Sequence, residues 1–189
     1  SSGIPVVLID RDVPSLSAAG RVLLDNEKAG RIATRSLLCK GRRNIALIRY
    51  ETSIATILDK EKGYFSELKS NDLTPRIEIV SRQSMDREIS SAIKLCKEDG
   101  IDGFIFPSNT ISIAGMSAIH RLGYSIPEDF NVVCFDQENV SGVYTPGVDF
   151  VDQPTNLVAE YAFRMLKEAV CNETPMSTLI LNPIIYSNK

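Results

Sequence analysis

The sequence predicts an α/β fold with a doubly wound parallel sheet, and two observations support this class. Short apolar runs such as residues 4–9 and 101–106 are typical of strands that are buried on both faces. Between such runs lie longer segments whose apolar residues recur every three or four positions, as in helices that pack on a sheet. Because the two patterns alternate, we expect parallel strands covered by helices on both faces.

The first half of the chain contains the clearer signals for where elements begin and end. Asp25 or Asn26 can cap the first helix, and Gly41 ends it. Ser84 is expected to cap a helix that reaches Glu98. The expected strands are residues 4–9, 21–24, 44–48 and 76–80, and the expected helices are residues 26–40, 56–70 and 84–98.

The second half continues the alternation. Asn109 is expected to cap a helix that ends before Gly123, and Pro154 suits the first turn of the last helix. The expected strands are residues 101–106, 131–135, 148–152, 178–181 and 184–186.

Composition excludes several classes of protein. Hydrophobic residues make up 43% of the 189 residues and charged residues 24%, which is ordinary for a globular protein. A net charge of −3 argues against a DNA-binding surface on this chain, because such a surface is basic. No apolar run approaches the roughly 20 residues of a membrane helix. The four cysteines form no C-x-x-C pair and are expected to be buried, reduced thiols, as in a cytoplasmic protein.

The sequence favours a protein without enzymatic activity. His120 is the only histidine, it lies within a predicted helix, and no G-x-S-x-G nucleophile motif is present. Glycine-rich phosphate-binding loops and the H-E-x-x-H zinc motif are also absent, so we expect no cofactor and no metal. Asp10 and Asp136 are the only pair of acids that would suit a phosphatase-like site, and this alternative ranks third.

Polar residues directly follow several of the apolar runs. Asp10, Asp25, Asn109 and Asp136 all come at or just after the end of a predicted strand or its connection. Any one of them alone is best interpreted as a turn or cap residue. Because the carboxyl ends of parallel strands meet at one edge of a sheet, several of them together predict a ligand site there.

The ordered set of motifs resembles the LacI/GalR family of metabolite-responsive repressors over essentially the whole chain. No single motif is specific, but their order and spacing are. The motifs are Ile4-Pro5-Val6-Val7, Ala29-Gly30, Gly41-Arg42-Arg43-Asn44, Asp99-Gly100-Ile101-Asp102-Gly103, Asn109 with Gly115, Gly123 to Asp129, Val132 to Asp136, Asp152-Gln153-Pro154 and Asn182-Pro183.

The resemblance implies a periplasmic-binding-protein-like fold that begins within its first lobe. Residues 1–25 would be a remnant of that lobe, 26–147 the second lobe, 148–174 a return to the first lobe, and 175–189 closing strands of the second. The resemblance also implies a homodimer that binds operator DNA through an N-terminal helix-turn-helix outside this chain.

Three of the family's ligand-contacting positions match polar residues here. Asp136 matches an acid that binds effector hydroxyls, and a carboxylate can accept two such hydrogen bonds. Asn109 matches an asparagine that contacts ligand, although a simple cap is the alternative. Gln153 matches a position at a crossover between lobes, where a polar hinge residue is equally consistent.

Two further residues are candidates. Lys60 stands where the family usually has an arginine, and it either holds a hydroxyl, carboxylate or phosphate of the effector or is a solvated helix residue. Tyr50 follows a predicted strand, where a sugar could stack on its ring, although packing in the core is the alternative.

The resulting hypothesis is a cytoplasmic effector-sensing domain of a LacI-type transcription regulator. Its effector would be a sugar or sugar derivative, and lobe closure on ligand binding would alter operator binding. The alternative is a periplasmic or extracellular sugar-binding receptor with the same fold, since a fold alone does not specify function.

Overall fold

The computed structural model describes residues 4–135, 146–172 and 175–187. The chain divides into two compact units, and each is described here by itself. Unit 1 consists of residues 1–25 and 153–183, and unit 2 consists of residues 26–152 and 184–189. In chain order the elements are β1 (Val7–Ile9), β2 (Gly20–Leu24), α1 (Asn26–Cys39), β3 (Ile45–Tyr50), α2 (Ala55–Lys69), β4 (Arg76–Val80), α3 (Met85–Glu98), β5 (Gly103–Phe106), α4 (Asn109–Arg121), β6 (Asn131–Phe135), β7 (Val148–Asp152), α5 (Thr155–Asn172), β8 (Thr178–Leu181) and β9 (Ile184–Tyr186).

Unit 1 is built on a three-stranded parallel sheet in the order β1-β2-β8. Helix α5 packs on strands β1 and β2. Its side chains include large apolar groups that are exposed, among them Phe163 at 70% and Val170 at 63%. Unit 1 therefore leaves much of its apolar surface uncovered within the described residues.

Unit 2 is built on a six-stranded sheet in the order β4-β3-β5-β6-β7-β9. Every neighbouring pair is parallel except β7 with β9, which is antiparallel. Helices α3 and α4 contribute to the core on one face, and helices α1 and α2 to the core on the other. This arrangement confirms the predicted sheet with helices on both faces.

The buried strands explain why these runs carry so few polar residues. All side chains of β5 and β6 are buried, as are all those of β3 except Arg49. Such central strands contact a helix layer on each face, so neither face tolerates unpaired polar groups. The predicted inner face of α3 is also confirmed, because Ile89, Ala92, Ile93 and Cys96 are buried.

The boundaries of the units differ from those expected from the sequence. Residues 148–152, expected in a return to the first lobe, form β7 and pair with β6 in unit 2. Strand β8, expected among the closing strands of the second lobe, pairs with β2 in unit 1. Both differences arise because apolar pattern predicts a strand but not its partner.

Two expectations about single residues are wrong. Cys39 and Cys171 are exposed, and only Cys96 and Cys134 are buried. Cys39 is the last residue of α1 and Cys171 lies in the last turn of α5, so both cysteines stand at helix ends. The searched residues contain no helix that combines the length and apolar character needed to cross a membrane.

Candidate functional site

The carboxyl ends of four neighbouring strands lie along one edge of the unit 2 sheet. Strands β4, β3, β5 and β6 are adjacent in that order and run parallel. The residues that follow them therefore meet at a single edge. In open α/β sheets this is the edge at which ligands bind.

Lys60 reaches this edge from helix α2. Its side chain is only 2% exposed, and its Nζ donates a hydrogen bond to the carbonyl oxygen of Pro107 at 3.2 Å. The same Nζ lies 4.5 Å from the centre of the Phe135 ring, at the end of β6. A carbonyl oxygen and an aromatic face both offset the cost of burying an ammonium group. Lys60 is thus a buried cation between the ends of β5 and β6, not a solvated helix residue.

Tyr50 ends strand β3 and lies largely in the core. It is 5% exposed, and the Arg82 guanidinium lies 3.9 Å above its ring. A sugar that stacked on this face would have to displace Arg82. The Arg82 guanidinium itself forms no hydrogen bond or ion pair within the part of the chain that the structure describes. Its N–H groups are therefore able to donate hydrogen bonds to a ligand.

Two serines stand at the start of helix α4 in contrasting surroundings. Ser108 occupies the N-cap position, which the sequence assigns to Asn109, but its hydroxyl forms no cap hydrogen bond. The Oγ of Ser108 is buried and has no hydrogen-bond partner among the described residues. Ser112, one turn later, donates to the carbonyl oxygen of Phe106 and accepts from the Phe135 amide, each at 3.2 Å. Asn109 is the first helical residue and is exposed.

A groove of about 600 Å³ opens beside Arg82. It lies between the loop after β4, the start of α3 and one side of α4. Its charged lining residues are Arg82, Asp86, Arg87 and Arg121. Three guanidinium groups against one carboxylate give this groove an excess of positive charge.

Of the remaining candidates, two belong to unit 1 and one lies outside the described residues. Gln153 is the first residue of the second segment of unit 1 and is partly buried. Asp10, at the end of β1 in unit 1, has a left-handed backbone with φ of 63°. Asp136 lies outside the described residues. Its role in binding effector hydroxyls therefore stays a prediction.

The described groups at this edge are mainly hydrogen-bond donors. Burial raises the pKa of the Cys134 thiol to about 12 and that of the Cys96 thiol to about 11, so neither is a thiolate nucleophile near neutral pH. Within residues 4–135, 146–172 and 175–187, no cluster of three or more His, Cys, Asp or Glu side chains could hold a metal ion. A buried ammonium, a guanidinium and hydroxyl groups suit a ligand rich in oxygen.

Two residues of the edge were missed by sequence reasoning. Arg82 lies in the polar loop that follows β4, and its position after an apolar strand could have identified it. Ser108 directly precedes Asn109, and which of the two would be the N-cap was ambiguous by one residue. The sequence carries no signal that the Ser108 Oγ lacks a partner among the described residues.

A comparison with protein families supports the interpretation of the fold. Residues 34–186 match the model of the periplasmic binding protein-like domain. The ribose operon repressor of Lactococcus lactis is 26% identical over 186 residues, covering 97% of this chain and 56% of that protein. The HTH-type transcriptional repressor PurR of Vibrio vulnificus is 26% identical over 170 residues, covering 88% of this chain and 51% of that protein. The chain thus spans about half the length of the curated relatives it matches.

Solved structures have the same fold. A periplasmic binding protein/LacI transcriptional regulator from Alkaliphilus metalliredigens, complexed with D-xylulofuranose, aligns with a TM-score of 0.84 at 21% identity. That alignment covers 98% of this chain and 70% of the other. A LacI family regulator from Enterococcus faecium with bound ribose aligns with a TM-score of 0.83 at 16% identity, covering 97% of this chain and 69% of that one.

These comparisons agree with the parallel sheet, the helix layers and the family resemblance of the sequence. The family model spans most of the chain, from within α1 to the end of β9. The named relatives are bacterial transcriptional repressors of the type expected. The chain belongs to the family of periplasmic binding protein-like domains.

Proposed function

We propose that this chain is the effector-sensing part of a LacI-type transcription regulator and has no enzymatic activity. Its effector is a small, hydroxyl-rich metabolite, with a pentose as the first candidate. In the intact protein, effector binding changes the affinity for operator DNA, which is contacted by a segment outside this chain. The protein acts in the bacterial cytoplasm.

The observation that carries the proposal is the group of polar side chains at the carboxyl edge of the unit 2 sheet. Lys60, Arg82 and Ser108 lie on or beside the ends of adjacent strands, next to Asn109. These groups can donate several hydrogen bonds to hydroxyl oxygens but provide no activated nucleophile. The relatives support the assignment, because two solved LacI-type neighbours carry a bound pentose.

Asp136, Asn109, Gln153 and Lys60 remain the proposed effector contacts, with Arg82 and Ser108 added. Tyr50 is proposed as the support for Arg82, because the guanidinium covers one face of its ring. The acid matters most, since a carboxylate can accept hydrogen bonds from two neighbouring hydroxyls of a sugar.

A homodimer is the proposed assembly. Large apolar side chains are exposed on unit 2, among them Ile79 at 54% on the edge strand β4 and Ile113 at 57% on α4. Exposed apolar side chains beside a free sheet edge favour association. Sedimentation of the full-length gene product measures the assembly, and a monomer at micromolar concentration would contradict it.

The test uses the full-length gene product and a DNA fragment from upstream of its own gene. Fluorescence anisotropy measures DNA affinity with and without D-ribose, D-xylulose and D-xylose. We expect at least one sugar to change the affinity by about 5- to 150-fold, the usual range of allosteric coupling. The variant Asp136→Asn should lose the response while keeping DNA affinity. A sugar that binds without altering DNA affinity would instead favour a binding receptor.

A further inference from the structure

Helices α1 and α2 cross with their backbones in direct contact at two glycines. A Cβ atom built on Gly30 of α1 would lie 1.9 Å from the carbonyl oxygen of Lys60. A Cβ atom built on Gly63 of α2 would lie 1.9 Å from the carbonyl oxygen of Glu27. The contact is therefore reciprocal, because each helix places a glycine against the backbone of the other.

Backbone neighbours make these glycines different from most others in the protein. A clash with the end of a side chain is relieved when that side chain rotates, whereas a clash with a helix carbonyl can be relieved only if a helix moves. Real Cβ atoms essentially never lie within 3.0 Å of such a neighbour. Any side chain at Gly30 or Gly63 would therefore force the two helices apart.

An ion pair joins the next turns of the same two helices. Arg35 of α1 donates two hydrogen bonds to the Glu67 carboxylate of α2, at 2.8 and 3.1 Å. Glu67 is buried although Arg35 is largely exposed, and the bidentate geometry fixes the direction of the pair. The glycine contact and this ion pair join α1 and α2 into one rigid layer.

Lys60 stands at the centre of this crossing. Its backbone rests on Gly30, while its Nζ reaches the Pro107 carbonyl and the Phe135 ring at the edge of the sheet. We propose that Gly30 and Gly63 are positioning residues that set how far the Lys60 ammonium extends over the ends of β5 and β6. The inference rests on the proposed function only in giving Lys60 a role in effector binding.

The position of Lys60 also becomes coupled to the start of α1. Helix α1 begins at Asn26, the first residue of unit 2, and Gly30 lies in its second turn. A displacement of the first turns of α1 must therefore move the α2 backbone at Lys60. The crossing therefore couples the first turns of α1 to the Lys60 side chain at the carboxyl edge of the sheet.

The test measures the position of Lys60 without any effector. This 189-residue chain is treated briefly with acetic anhydride, and mass spectrometry gives the acetylation rate of Lys60 relative to Lys62. Lys60 is 2% exposed, and the Lys62 side chain is 67% exposed. We expect a low ratio in the wild type and a rise of at least about fivefold in Gly30→Ala and Gly63→Ala, because opening the crossing exposes the amine.

Gly115→Ala is the matched control. A Cβ atom at Gly115 of α4 would lie 2.3 Å from the Phe106 ring, so this variant introduces a steric clash at a different helix, against a side chain instead of a backbone. It should lower the melting temperature without raising the Lys60 to Lys62 ratio. The proposal is overturned if Gly115→Ala raises the ratio as much as Gly30→Ala, or if both α1–α2 variants leave it unchanged.

Glu67→Gln covers the case in which the alanine variants do not fold. It weakens the ion pair of the same helices without a steric clash, and we expect the ratio to rise about twofold. An unchanged ratio in this variant would count against the rigid layer. Pentose binding by the full-length gene product is scored separately, so its absence would reject the proposed function and leave the positioning of Lys60 standing.

Discussion

At the scale of single residues, Ser112 has a structural hydroxyl, whereas the N-cap residue Ser108 has one without a hydrogen-bond partner among the described residues. Ser112 connects β5 and β6 through two hydrogen bonds, and it is fully buried. The buried Oγ of Ser108 has no hydrogen-bond partner among the described residues. An unpaired buried hydroxyl lowers stability, and such groups persist where another demand retains them.

Substitution by alanine should therefore have opposite consequences at the two positions. Ser108→Ala is expected to leave the free energy of unfolding unchanged or raise it by up to about 1 kcal/mol, because none of the described residues forms a hydrogen bond with the Ser108 Oγ. Ser112→Ala should lower it by about 1–3 kcal/mol, because the Phe135 amide loses an acceptor. Urea denaturation measures both. Equal losses in the two variants would contradict the assignment.

Residue scale is also where sequence reasoning was least complete. Lys60 was recognisable as a candidate from its place near Gly63, but its burial depends on contacts with Pro107 and Phe135, which are distant in sequence. The same holds for Arg82, whose guanidinium covers Tyr50 from another strand end. The sequence shows which residues are polar, whereas the fold determines which of them come into contact.

At the scale of elements, Tyr64 connects helix α2 to the beginnings of two strands. Its hydroxyl donates to the carbonyl oxygen of Ile45 at 2.8 Å and accepts from the Arg76 amide at 2.8 Å. The side chain is fully buried. One phenol thus fixes the start of β3, the start of β4 and the helix that covers them.

Tyr64→Phe should lower the free energy of unfolding by about 1–2 kcal/mol, because the Arg76 amide loses its acceptor while the packed ring remains. Tyr186→Phe is the control, since Tyr186 is 51% exposed on the edge strand β9. Thermal denaturation of both variants decides the outcome. A loss in Tyr186→Phe as large as that in Tyr64→Phe would show that the hydroxyl contacts are not the cause.

The same hydroxyl predicts how stability depends on pH. Burial raises the pKa of Tyr64 well above its ordinary value of 10.0. A raised pKa in the folded state means that the contribution is complete below pH 10 and is lost as the pH rises beyond it, because the unfolded chain then ionises first. Urea denaturation between pH 9 and 11 should show a decline that is smaller in Tyr64→Phe. An equal decline in the wild type and in Tyr64→Phe would show that groups other than Tyr64 cause it.

Strand and helix positions were well predicted from the sequence, and strand partners were not. The apolar runs of β5 and β6 and the helical stripe of α3 were recognisable because burial on both faces imposes a simple pattern. The placement of β7 in unit 2 and β8 in unit 1 depends on pairings between distant residues. No local pattern specifies those pairings.

At the scale of the whole molecule, the two units differ in how many of their large apolar side chains are buried. The unit 2 sheet has a buried core on each face. Unit 1 leaves large apolar side chains exposed, including Phe163, Val170 and Ile180 at 60–70%. Exposed apolar side chains of this size promote association.

We therefore expect this 189-residue chain to self-associate as its concentration rises. The double variant Phe163→Ser and Val170→Ser should lower the mean sedimentation coefficient toward that of a monomer, because it removes apolar groups from the exposed side of α5. Leu95→Ser is the control, since Leu95 is exposed at 47% on α3 of unit 2. If only Leu95→Ser reduced association, the contact would lie on unit 2 and the prediction would be wrong.

The antiparallel pairing of β9 with β7 has a consequence for synthesis on the ribosome. Strand β7 leaves the ribosome before α5 and β8, both of which belong to unit 1, and β9 follows only afterwards. The outer side of β7 therefore stays unpaired while some 30 residues of unit 1 are synthesised, at roughly 5–20 residues per second. During those seconds that open edge is where a chaperone, or a neighbouring nascent chain, would most readily attach.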